Sequence, residues 1–134
     1  MKLASIFAVA IGASAGVSAA PLEPRASFVK VPLPEPLNWV AGRSLFPGNI
    51  IAGYSAGEGE YTAETWSAYI LAKCQGYAAC TSSITYSAIN SGSTGGRYWF
   101  GHVFRGGATT VANYERDEEE SDGVTDAIAY TIVA

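Results

Sequence analysis

At 134 residues the chain has room for one small domain. Twelve acidic residues against eight basic ones give a net charge of −4, which argues against a basic face for nucleic acid or for an anionic membrane. No apolar run after the N-terminal segment is long enough to span a bilayer, so neither a transmembrane anchor nor a lipid-directing tail is expected.

The N-terminal segment itself reads as an address. Met1-Lys2 supplies a positive start, residues 3–16 are almost wholly small or apolar, and Val17-Ser18-Ala19 places small side chains at a cleavage position. Residues 1–19 are therefore expected to be a signal peptide, and the mature protein secreted and extracellular. Its removal leaves seven basic residues against twelve acids, a net charge of −5. Residues 20–36 form a proline-rich arm that a protease could trim near Arg25, and residues 37–134 form a single domain. Within the arm, Pro32, Pro34 and Pro36 favour extended backbone and an edge segment over residues 28–36. Residues 37–51 suggest one or two short strands with a turn at Phe46-Pro47-Gly48-Asn49, and the glycine-rich stretch 53–60 reads as a loop.

Residues 62–74 carry the helix signals. Thr62 can cap the start, Glu64 lies in the first turn, Lys73 in the last, and Gly76 follows as a stop. Trp66, Tyr69, Ile70 and Cys74 recur at helical spacing and predict one buried face, with Thr65, Ser67 and Lys73 toward water. Cys74 and Cys80 are the only cysteines, and in a secreted chain they are expected to pair. From residue 81 the period changes to two. Ile84, Tyr86 and Ala88 alternate with polar residues, a tip follows over 90–96, and Tyr98, Phe100, His102 and Phe104 alternate with Trp99, Gly101, Val103 and Arg105. A glycine pair at 106–107 then allows a return into a strand over 109–114, and residues 124–133 read as the last strand. The expected fold is α+β: an antiparallel sheet with one helix packed on one face, a two-layer sandwich.

Chemical motifs are sparse. The acidic run over 117–122 lacks the ligand spacing of a calcium loop and is expected to be a solvated loop that blunts a sheet edge. His102 is the only histidine and sits among aromatic residues, no G-x-S-x-G elbow occurs, and zinc would need more nitrogen or sulfur ligands. No catalytic residue, metal or cofactor is assigned. The aromatic hairpin is the remaining asset: Tyr98, Trp99, Phe100, His102 and Arg105, with Tyr86 opposite, are the candidate binding residues, although packing also accounts for many of them.

Taken together, Thr62-Ala63-Glu64 opening a helix, Cys74 and Cys80 joining helix end to strand start, and the following aromatic hairpin resemble the small secreted proteins of filamentous fungi and, more loosely, the PAN/apple-type module. That resemblance implies binding to carbohydrate or protein outside the cell. The expected function is a non-enzymatic, effector- or elicitor-like binding protein, with a host extracellular protein or a cell-wall polysaccharide as partner and neither nucleic acid nor membrane. The alternative is a small secreted hydrolase or lyase using His102 or a carboxylate pair, for which Glu58, Glu60, Glu64, Glu115 and Asp126 are available.

Overall fold

A computed structural model describes residues 27–90 and 95–133. The expected leader, the processing point at Arg25 and most of the hairpin tip lie outside the described residues. Among the described residues seven strands and one α-helix follow in chain order: β1 (Phe28–Lys30), β2 (Trp39–Ala41), β3 (Ile50–Gly57), α1 (Ala63–Gln75), β4 (Ser82–Ile89), β5 (Arg97–Phe104), β6 (Tyr114–Arg116) and β7 (Thr125–Ile132). Five of them make one antiparallel sheet in the order β1-β7-β4-β5-β3, and β2 and β6 pair as a separate antiparallel ribbon. The fold is α+β, with the helix packed on the sheet as expected.

Helix α1 begins where its capping chemistry begins. The Thr62 hydroxyl accepts from the Thr65 amide at 3.1 Å, and the Thr65 hydroxyl accepts from the Thr62 amide at 2.9 Å, so two otherwise orphaned donors are satisfied reciprocally. The buried face is Trp66, Ser67, Ile70 and Cys74. Two expectations change here. Ser67 faces inward and donates to the Glu64 carbonyl at 3.0 Å, while Tyr69 is 40% exposed with the Lys73 ammonium 5.2 Å from its ring. The cause is that the contact with the sheet runs along the 66-70-74 row, which leaves residue 69 on its flank.

That contact is close because β5 carries a glycine beneath it. A Cβ on Gly101 would stand 2.6 Å from Ile70 Cγ1 and 2.9 Å from Cδ1. Gly101→Ala is therefore expected to cost about 1–3 kcal/mol through overpacking. A urea midpoint equal to that of the parent protein would contradict this. Beside Gly101, the Trp99 indole is 4% exposed and donates to the carbonyls of Glu58 and Tyr61 at 2.9 and 3.1 Å. The helix end is tied to β4 by the expected disulfide, Cys74–Cys80, whose Cα atoms are 5.3 Å apart. A loop this short limits its entropic contribution to roughly 2 kcal/mol.

The other face of the sheet is also covered in part. The β2–β6 ribbon and the segment leading to it pack Val31, Trp39, Leu45 and Tyr114 against Ile84, Phe104, Ala127 and Ala129. Arg116 clamps this cover: its guanidinium lies 4.3 Å from the Trp39 ring centre and donates to the Pro36 carbonyl and to Asn38 Oδ1, each at 2.7 Å. The sheet thus has a core on both sides.

Three segment expectations are corrected. Residues 50–57 form the full-length edge strand β3 because β5 supplies a partner from Ile50↔Phe104 to Gly57↔Tyr98, and that pairing overrides the glycines. The strand expected over 109–114 is instead a turn of 3-10 helix, Val111–Asn113, followed by β6. Thr110 and Asn113 make local side-chain bonds there, from the Ala112 amide to the Thr110 hydroxyl and from the Thr110 amide to Asn113 Oδ1, which favour the turn. The acidic run does not blunt the edge of the main sheet, whose edge strands are β1 and β3. Its ends bond inward instead: the Asp117 amide donates to the Asn38 carbonyl and the Ile89 amide to the Asp122 carbonyl, each at 2.8 Å.

Candidate functional site

Alternation along β4 and β5 decides which side chains meet on the ribbon side. The pairs Tyr86↔Phe100 and Ile84↔His102 place those residues on the face away from α1, whereas Trp99, Gly101 and Val103 face the helix. The resulting row of rings is continuous. Tyr86 lies 5.9 Å from Phe100 and 6.1 Å from His102, His102 lies 6.2 Å from Phe104, and Phe46 packs edge-on to His102 at 5.9 Å. Strand β2 borders this row, and between them runs a trench of two adjacent depressions. One, of about 280 Å³, is lined by Val40, Ala41, Phe46, Tyr86, His102 and Asp117. The other, of about 210 Å³, shares Val40, Tyr86 and Asp117 and extends to Phe100, Ile89, Val124 and Asp122.

The polar groups on this trench have unused bonding capacity. Among the described residues, neither the Tyr86 hydroxyl nor the His102 imidazole makes a hydrogen bond, and no cation lies within ion-pairing distance of Asp117 or Asp122. Arg116, the neighbour of Asp117, is engaged at Trp39, and Arg97 is held by Ser87, Gly123 and Thr125. Asp117 Oδ1 accepts from the Glu119 amide at 3.0 Å, which fixes its side chain on the loop. A hydrogen bond with Asp117 holds the Asp122 carboxyl above its ordinary range, and the Asp117 charge adds to this. Tyr86 is pushed up to about 12, first by burial and then by the charges of Asp117 and Asp122. Burial alone lowers His102 below its ordinary 6.5.

These shifts fix a pH dependence. The unfolded chain takes up a proton at His102 near its ordinary 6.5 while the folded state still resists it, so stability falls as pH drops from 6.5 toward the lower folded value. Asp122 has the opposite sign in a lower window: its raised folded value contributes stability below 3.8 that is lost as pH rises through that value. His102→Gln is expected to flatten the thermal midpoint between neutral pH and mildly acidic pH. An unchanged slope in a pH series of melting curves would contradict this.

Two other surfaces have most of their polar groups engaged by their own neighbours. A depression of about 390 Å³ between β1, β7 and the start of α1 has a mainly apolar lining; of its charged residues Lys30 and Glu64 pair at 3.8 Å, and Asp126 Oδ2 accepts from the Thr125 hydroxyl at 3.1 Å. The tyrosine cluster beside β3 is likewise satisfied, with the Tyr54 and Tyr77 hydroxyls bonded at 2.8 Å and Lys73 over the Tyr54 and Tyr69 rings.

Of the five binding residues expected from sequence, Phe100 and His102 line the trench. Tyr98 shares their face beyond it, opposite Ala88. Arg105 is exposed past the strand end, and Trp99 is sealed under the helix side, where it presents no surface. Asp117, Asp122, Phe46 and Val40 were not among the expected site residues; the acidic run was the visible signal, without its destination. Among the described residues no group of three or more His, Cys, Asp or Glu side chains could hold a metal, and no helix is long and apolar enough to cross a membrane. No family model, curated protein or solved structure matches the chain.

Proposed function

We propose that this is a secreted, non-enzymatic binding protein, effector- or elicitor-like, that engages a host or cell-wall molecule through the trench between β2 and the β4–β5 hairpin. The observation that carries the reading is the convergence of Tyr86, His102, Asp117 and Asp122, all with spare bonding capacity, on two adjacent depressions, one lined by Phe46 and the other by Phe100. Their lining exposes polar and apolar surface in about equal parts, which suits a ligand that carries both kinds of surface: apolar residues supply contact area and a few convergent polar groups fix orientation. The signal peptide expected at residues 1–19 and the disulfide support an extracellular setting.

The test is retention of the mature protein on chitin, chitosan, β-glucan and cellulose, alongside capture from host extracellular fluid. Retention on one of these, lost in Phe100→Ala and kept in Tyr69→Ala, is the expected result. Retention that survives Phe100→Ala and His102→Ala together, in folded variants, would overturn the reading.

A further inference from the structure

We infer that the ligand of the trench is an amino-sugar chain, a run of glucosamine-type units bearing free ammonium groups. This rests on the binding role proposed above and specifies its chemistry. Asp117 and Asp122 place two carboxyl groups on the trench wall with no cation of the described chain to neutralise them, in a protein whose net charge is −4. An anionic polymer would be repelled there, and a neutral one would leave the carboxylate charge uncompensated as water is displaced. A cationic ligand gains a charge-assisted hydrogen bond at the same place.

The remaining lining selects among cations. The Tyr86 hydroxyl and the His102 imidazole are hydrogen-bonding groups set along the same strip, with Phe46, Phe100 and Val40 between and around them. A pyranose unit offers hydroxyls around an apolar C–H surface together with its amine, so it matches all three kinds of group. A lysine side chain offers an ammonium on an aliphatic stem and leaves Tyr86 and His102 unmatched. The two depressions are adjacent, sharing Val40, Tyr86 and Asp117 in their linings, so consecutive units of one chain reach both.

The experiment is calorimetric titration of the mature protein with a glucosamine hexamer, an N-acetylglucosamine hexamer and hexalysine, at mildly acidic pH where the amines are charged. The glucosamine hexamer is expected to bind at least about tenfold more tightly than either comparator, and Asp117→Asn or Asp122→Asn to remove about that factor, equivalent to ~1.4 kcal/mol. Glu118→Gln and Glu120→Gln, exposed acids of the same loop, should leave the affinity unchanged. Equal binding of the acetylated hexamer, abolished by Phe100→Ala, would overturn the inference and keep the binding role. Tighter binding of hexalysine would overturn it in favour of a basic peptide. Glucosamine binding that responds to Glu118 and Glu120 as much as to Asp117 would also overturn it, as diffuse attraction. No binding of any of the three, in a protein still captured by another material through Phe100, would reject the amino sugar alone; insensitivity to Phe100 in every assay would reject the binding role itself.

Discussion

Trp66→Ala is expected to cost about 3–5 kcal/mol of unfolding free energy, since Trp66 is the largest fully buried side chain among the described residues. Trp66 is 1% exposed and contacts the rings of Tyr61 and Tyr69 at 4.8 and 5.6 Å. Its indole also donates to the Phe100 carbonyl at 2.9 Å, which pins α1 to β5. Truncation therefore opens a cavity and removes the donor that holds the strand carrying the trench. Domains of this size have a total stability of about 5–15 kcal/mol, so the variant should melt well below the parent. Urea unfolding reads the effect directly. Tyr69→Ala, on the exposed flank of the same helix, should cost much less, and equal losses would show that the helix packs through a different face.

The second large effect is on binding with little on folding. Tyr86→Phe keeps the ring, its contacts with Phe100 and His102 and the wall of both depressions, and removes only the hydroxyl. That hydroxyl bonds to none of the described residues, so its loss should leave stability within about 0.5 kcal/mol. If the trench holds a ligand that bonds to it, affinity should fall about tenfold, because a ligand polar group is left without its partner. Thermal melting and titration on the same samples separate the two quantities. A destabilised Tyr86→Phe with unchanged affinity would mean that the hydroxyl serves the fold.

Local signals carried much of this fold. Thr62, Glu64 and Lys73 marked the helix, the two cysteines had a single possible partner, and alternation marked β4, β5 and β7. The misses have a common physical source in distant partners. Gly53 and Gly57 read as loop until β5 pairs with them, and Ser67 reads as exposed until the sheet contact selects the 66-70-74 row. The same holds at the site. Phe100 and His102 were readable as one face of a hairpin, and Trp99 as the opposite face. That Trp99 would be buried depended on where α1 docks, and that Asp117 and Asp122 would reach the trench depended on two inward backbone bonds, to Asn38 and from Ile89. Charge runs carry no record of such anchoring.

The most direct test of the central claim is an amide and side-chain chemical-shift map of the labelled mature protein, titrated with whichever material retains it. Shifts centred on Val40, Tyr86, Phe100, His102 and Asp117 are the predicted result, since these residues line the trench. Shifts centred on Tyr54, Tyr69 and Tyr77, or on the depression between Lys30 and Ala129, would place binding elsewhere and contradict the account.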